Sequence, residues 1–273
     1  MPDCRLIRPG LWVVESSVEG FDVRGAVVVG TEGAVVFDTL ARPRDMVGVA
    51  ELLPDLPLNV VYSHGDWDHI WGTGGLGQPT GEILAHGRCL SRFLTEIPGT
   101  LQEKRAEAPE DFRDVELIPP TRTFQERETL DLGNLALELR TLPGHTADSI
   151  VGYLPQWNVL LAGDSVETPL PYLNEDSALD RWIRELELWS KTMKSRSVQG
   201  DPPLVIPSHG SLGDTGLLEK TRAYLLALLE GREPEISHPL SPFYGETHAQ
   251  NRIIARRWSG ASRGDSSSLN RTS

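Results

Sequence analysis

Six consecutive residues, His64-Gly65-Asp66-Trp67-Asp68-His69, carry two imidazoles and two carboxylates directly after the apolar run Asn59-Val60-Val61-Tyr62-Ser63. The ligand-type residues fall at i, i+2, i+4 and i+5. Helical ligands recur at i+3 or i+4, so this spacing points to a loop that turns alternate side chains to one side. Imidazole nitrogen and carboxylate oxygen suit Zn²⁺, and also Fe and Mn.

Four other strand-like runs end in the same manner. Residues 34–37 lead into Asp38, 139–142 into Pro143-Gly144-His145, 159–162 into Gly163-Asp164, and 204–207 into Ser208-His209-Gly210. One such end means little. Five imply a single rim where strands stop and ligands converge, which is how a site is mounted on a rigid scaffold. His64, Asp66, Asp68, His69, His145, Asp164 and His209 are enough candidate ligands for two ions. A pair of ions can hold a bridging hydroxide at neutral pH and polarise a carbonyl or phosphoryl oxygen.

The elements that must carry these residues occur in both halves of the chain. Strands are expected at 11–15, 26–30, 34–38, 59–62 and 83–85, with Thr31-Glu32-Gly33 as a hairpin loop. Residues 44–53 read as a helix closed by Pro54. The leucines from Leu130 to Leu139 suggest a hairpin turned near Gly133-Asn134, and 150–154 and 159–162 flank a turn at 155–158. One helix should start at Ser177 as N-cap and bury Trp182, Ile183, Leu186, Trp189 and Met193. Another should be capped by Asp214, bury Leu217, Leu218, Tyr224, Leu225, Leu228 and Leu229, and end at Gly231. Hairpins with one helix appended to each half predict two sheets packed face to face with helices outside. The charged stretch 91–120 reads as an excursion, either a wall or lid for the site or a solvated spacer.

The order SHGDWDH, Pro143-Gly144-His145-Thr146, Gly163-Asp164, Pro207-Ser208-His209-Gly210, with Val36-Phe37-Asp38-Thr39 upstream, resembles the metallo-β-lactamase superfamily over roughly residues 8–230. The resemblance implies an α+β fold, a four-layer αββα sandwich with metals at one edge. It implies that His64 and His145 bind a first metal, that Asp68, His69 and His209 bind a second, that Asp164 bridges them, and that Asp38 buttresses the loop. Asp66 departs from the H-x-H-x-D-H pattern. As a ligand it would add negative charge, weaken the metals as Lewis acids and favour harder ions such as Fe or Mn over Zn. A carboxylate there resembles the diiron flavoproteins of the superfamily.

The implied activity is metal-dependent hydrolysis of a small ester, lactone or thioester, with Asp68 relaying a proton as well as binding metal. An iron redox enzyme, or a binding protein with a degenerate metal site, are the alternatives. Trp67 and Trp71 flank the ligands and read either as packing or as pocket walls. Some lactonases carry Tyr three residues after the bridging Asp; Glu167 stands there, with Tyr172 near enough to substitute. Gly72-Thr73-Gly74-Gly75 lacks the features of a phosphate loop and reads as flexible backbone beside the metal loop. His86 reads as structural, and His238 and His248 as surface residues.

A formal net charge of −13 disfavours nucleic acid and anionic membrane as partners, leaving a small-molecule substrate and a monomer or homodimer. Cys4 and Cys89 suit reduced thiols, and the opening residues show no apolar leader, so a cytoplasmic protein is expected. Residues 1–235 should form the main domain and 236–258 an extension. From about 259 the Ser-, Gly- and Arg-rich tail should be disordered.

Overall fold

The computed structural model describes residues 3–53, 55–77, 81–197, 202–236 and 239–268, with side chains as far as Trp258. The first sheet runs in sequence order through β1 (Asp3–Arg8), β2 (Leu11–Val18), β3 (Phe21–Val29), β4 (Ala34–Phe37), β5 (Leu58–Val61), β6 (Ile83–His86) and β7 (Arg122–Phe124). The second contains β8 (Arg127–Asp131), β9 (Ala136–Thr141), β10 (Ile150–Leu154), β11 (Val159–Glu167) and β12 (Leu204–His209), in the spatial order β12-β11-β10-β9-β8. The helices are α1 (Trp67–Ile70), α2 (Gly87–Thr95), α3 (Ile97–Glu107), α4 (Pro109–Phe112), α5 (Leu179–Ser197), α6 (Gly216–Leu229) and α7 (Pro242–Ser268).

Alternation along the strands builds the layers. Val35 and Phe37 of β4 and Val61 of β5 face the second sheet, where they meet Leu137, Leu139, Leu161 and Ile206. Their neighbours Val36, Val60 and Tyr62 point the other way, into a core closed by Phe93 of α2 and Phe112 of α4. On the far side of the second sheet, Val151, Leu160 and Ala162 pack on Trp182 and Leu186 of α5 and Leu225 of α6. Each fully buried side chain of this size contributes about 1.5–3 kcal/mol of hydrophobic stabilisation. The result is the four-layer αββα sandwich.

Strand direction explains why the chemistry gathers at one edge. β4 and β5 are parallel, with Phe37 opposite Val61, so Asp38 and the loop from Ser63 emerge together. β11 and β12 are likewise parallel. β9 and β11 each pair antiparallel with β10, so they run the same way, and the loop carrying His145 leaves by that edge too. The edges are joined by Ile150 N donating to Ser63 O at 2.8 Å and by Arg24 Nη1 donating to Pro207 O at 2.6 Å.

Several local expectations change. Residues 44–53 form two short 3-10 turns, Pro43–Asp45 and Val49–Leu52, because Gly48 between them sits at φ +95°. β11 does not stop at Ala162. It bends at Gly163 (φ +52°) and continues to Glu167, so Asp164 sits within a kinked strand. Gly72 and Gly75 serve close approach, since a Cβ on either would collide with the carbonyl oxygens of Thr39 and Pro43. The last helix runs to Ser268, into the stretch expected to be disordered. His238 and residues 269–273 lie outside the described residues. Cys4 and Cys89 are free thiols, the second fully buried. Among the described residues no helix is long and apolar enough to cross a membrane.

Candidate metal centre

The structure brings His64, Asp66, Asp68, His69, His145, Asp164 and His209 to the shared edge. Their donor atoms form three overlapping groups in which all atoms lie within 4.8 Å of one another: His64, Asp66 and His145; Asp68, His69 and His209; and His64, His69 and Asp164. The first two groups are the two ligand sets expected from the resemblance, with Asp66 included. Asp164 stands between them. Its Oδ2 is 3.7 Å from His64 Nε2, 3.6 Å from His145 Nε2 and 3.4 Å from His209 Nε2, while its Oδ1 is 3.3 Å from His69 Nε2.

Each imidazole is aimed by a contact at its other nitrogen. His145 Nδ1 donates to Tyr172 O at 2.9 Å, and His209 Nδ1 donates to Asp22 O at 2.7 Å. His69 Nδ1 lies 3.0 Å from Asp38 Oδ2, and His64 Nδ1 lies 2.9 Å from Ser63 Oγ. Where the partner is a carbonyl the proton must sit on Nδ1, which leaves Nε2 to offer its lone pair inward. His64 Nε2, His69 Nε2 and Asp164 Oδ1 are buried and have no hydrogen-bond partner. Buried polar atoms left unpaired are costly. Three of them converging with the donor types that Zn²⁺, Fe and Mn take is the arrangement a metal ion would satisfy.

The electrostatics agree. Burial opposes charge on Asp66, Asp68, His69, His145, Asp164 and His209. In His69 and His209 it is outweighed by Asp164 and Asp68, which hold both imidazoles well above the usual histidine range. In His145 the hydrogen bond to Asp66 and the charge of Asp164 also prevail over burial and raise its pKa to about 9. For Asp164 burial is overcome by His69 and His209, and for Asp66 by His64 and His145, so both carboxylates stay ionised. The protein thus holds a compact set of basic nitrogens and anionic oxygens that protons fill when metal does not.

The supporting contacts are specific. Asp38 is fully buried and accepts from Ser63 N at 2.7 Å. Ser177 Oγ does not cap α5. It donates to His145 O at 2.9 Å and accepts from Asn174 N at 2.9 Å, fixing the histidine loop. Asp148 Oδ2 accepts from Gly65 N at 2.8 Å, and Arg92 reaches both Asp148 and Asp66. His86 is structural as expected: its Nδ1 accepts from Arg88 N and caps α2. His248 is half-buried and joins α7 to α6 through Tyr224 Oη at 2.9 Å.

A cavity of about 360 Å³ opens over the ligand atoms. Trp67 and Tyr172 line it, as expected, together with Phe21, Phe243 and Tyr244. Trp71 does not. It is 1% exposed and packs edge-on against Phe112, behind Trp67. The stretch 91–120 is no solvated spacer, because Phe112 and Lys104 both pack against Trp67 and Arg92 touches Asp66. Two features were not foreseen, the Glu167–Tyr244 contact in the cavity wall and the Arg92–Asp148 pair behind Asp66. Glu167 is buried and accepts from Tyr244 Oη at 2.9 Å, so α7 belongs to the site rather than to an appended segment. Arg92 had no signal in sequence. Asp148 had a weak one, being a buried acid three residues after His145. A larger polar groove of about 590 Å³ around Ser16, Asp22 and Arg42 contains no group of converging metal-ligand atoms among the described residues.

A sequence model of the metallo-beta-lactamase superfamily matches residues 21–220. A metallo-beta-lactamase type 2 of Bacillus cereus is 31% identical over 165 residues, 60% of this chain and 56% of that protein. A linear primary-alkylsulfatase of Pseudomonas sp. (strain ATCC 19151) is 25% identical over 218 residues, 67% of this chain and 40% of that protein. The chain therefore spans about half the length of the curated relatives it matches. Among solved structures, a metallo-beta-lactamase from Pontibacter korlensis superposes with TM-score 0.62 at 22% identity, covering 83% of this chain and 99% of that one, a likeness of fold. With two hundred consecutive residues matched and both ligand groups assembled on that fold, the chain belongs to the metallo-β-lactamase superfamily.

Proposed function

We propose that the chain is a metal-dependent hydrolase of a small ester, lactone or thioester, working with two divalent ions, Zn²⁺ first among them. The observation that carries this reading is the convergence of three buried atoms that make no hydrogen bond, His64 Nε2, His69 Nε2 and Asp164 Oδ1, in the group that links the two ligand groups. Metal ions held there by His64, Asp66 and His145, and by Asp68, His69 and His209 with Asp164 between, would acidify water and polarise a scissile carbonyl. The protein supplies the rest. Asp68 faces the cavity with Oδ2 at 3.3 Å from His209 Nε2, and we assign it proton transfer at that oxygen as well as ligation. Phe21, Trp67, Tyr172 and Phe243 offer aromatic surface for an apolar acyl or alkyl group.

The chemical character of the walls supports an uncharged substrate. No Lys or Arg is among the cavity's described lining residues, whereas Glu19 and Glu167 are. Lys104, at the rim, is committed to Glu19 at 2.6–2.7 Å and to the Trp67 ring. An anionic substrate would meet no free protein cation here. An iron redox enzyme is the second reading, favoured by the carboxylate Asp66 beside His64 and His145.

Protein purified without added metal, analysed for metal and then assayed with Zn²⁺, Mn²⁺ or Fe²⁺ on aryl esters, lactones and thioesters, tests the assignment. Turnover abolished by a chelator and restored by metal supports it. Bound iron with visible absorbance and no hydrolysis supports the redox reading instead.

A further inference from the structure

Arg92 binds two loops of the site at once, the one that carries Asp66 and the one that carries His145 and Asp148. Its Nη2 donates to Asp66 Oδ1 at 2.5 Å and its Nη1 to Asp148 Oδ1 at 3.1 Å, while Nε is held by Glu96. Asp148 in turn accepts from the Gly65 amide, next to Asp66 in the chain. The fit is close: a Cβ on Gly65 would meet Arg92 Cδ and Nη1, and Asp148 Oδ2, each at 3.2 Å. Only the second oxygen of Asp66, Oδ2, faces inward, 3.4 Å from His64 Nε2 and 3.2 Å from His145 Nε2.

We propose that Asp66 and Arg92 form one composite ligand, in which the guanidinium occupies Oδ1, offsets part of the carboxylate's charge and leaves Oδ2 as a single fixed donor to the first metal. This rests on the metal-centre reading. A carboxylate paired in this way presents the site with less negative charge than a free one, although the same guanidinium is shared with Asp148 and Glu96. It revises the expectation that Asp66 makes the centre more anionic and steers it toward harder ions. Arg92 is a positioning residue. A planar fork fits the task, because it can hold one carboxylate oxygen while its other nitrogens stay anchored.

The test is a double-mutant cycle read by metal binding. Chelator-stripped wild type, Arg92→Gln, Asp66→His and the double variant are titrated with Zn²⁺ alone by calorimetry, with bound metal counted by elemental analysis. Arg92→Gln is expected to weaken the first site about 10–100-fold, the usual cost of removing a ligand's orienting partner. Asp66→His is also expected to weaken it, because the guanidinium, held then only by Asp148 and Glu96, has lost the carboxylate that stands between it and the cation. The double variant should bind Zn²⁺ more tightly than either single variant. Losses that simply multiply would overturn the proposal and reduce Arg92 to an anchor for Asp148. A wild type that takes up no Zn²⁺, Mn²⁺ or Fe²⁺ would sink the metal-centre reading and the composite ligand with it. Should Arg92→Gln fail to fold, Arg92→Lys, which keeps the charge and loses the fork, completes the same cycle.

Discussion

Asp38 Oδ2 lies 3.0 Å from His69 Nδ1, and its Oδ1 accepts from Ser63 N at 2.7 Å, so one buried carboxylate sets both the orientation of a ligand and the start of the loop that carries four of them. Asp38 reaches this position at φ +61°, a left-handed conformation rare for a residue with a side chain. Thr39 N donates to His69 O at 2.7 Å, which stitches the same turn to α1. Asp38→Ala would leave the Ser63 amide and the His69 ring nitrogen without partners, at about 1–3 kcal/mol each. Urea denaturation should show that loss, and Zn²⁺ titration a drop in second-site affinity. Wild-type stability and affinity would remove Asp38 from the buttressing role.

Metal-free protein should have a defined pH optimum of stability. His69, His145 and His209 have raised pKa values, so their protonated contribution is full below about pH 6.5 and is lost as pH rises through the folded value, about 9 for His145. Asp66, Asp68 and Asp164 are depressed, so theirs is full above about pH 4 and is lost on further acidification. Melting curves with a chelator should therefore peak between these limits and fall from pH 7 toward 9. A melting temperature that rises over that range would contradict the pairing.

Gly72→Ala places a methyl group on the Thr39 carbonyl oxygen, with Arg42 O 3.0 Å from the same Cβ. Both obstacles are backbone and cannot rotate away. Overpacking of this kind costs about 1–3 kcal/mol, sometimes more. Chemical denaturation measures it, and a neutral outcome would mean that this stretch is merely flexible.

Phe243 stacks on Phe21 with ring centroids 5.9 Å apart at the cavity wall and is 45% exposed. Phe243→Ala should change stability by less than about 0.5 kcal/mol. It should raise KM for aryl esters several-fold with kcat little altered. Steady-state kinetics on a matched pair of aryl and methyl esters checks this, and equal KM in variant and wild type would take α7 out of substrate binding.

Ser177→Ala removes the hydroxyl that joins His145 O to Asn174 N. It should cost about 1 kcal/mol of stability, the typical worth of a lost hydrogen bond. Thermal unfolding of the metal-free protein isolates the effect from ligation.

The ligand residues, their order and the strands that end in them were legible from sequence because those signals are local. The unbroken apolar runs at 34–37 and 60–62 mark strands buried on both faces. The spacing of His64, Asp66, Asp68 and His69 rules out one continuous helix, but the expected loop gives way after Asp66 to the single turn α1, which carries Asp68 and His69; Gly231 at φ +70° ends α6 where a glycine was expected to end it. What stayed hidden depends on residues far apart in the chain. Arg92 reaches Asp66 from twenty-six positions away, Tyr244 reaches Glu167 from seventy-seven, and neither carries a mark that separates it from any surface arginine or tyrosine. The same limit left Trp71 open between packing and pocket wall; its burial behind Trp67 follows from where α4 places Phe112. Sequence thus determined which groups could bind metal. Only tertiary packing decided how each is aimed, what pairs with Asp66 and which rings wall the cavity, because charge pairing and burial are properties of neighbours in space.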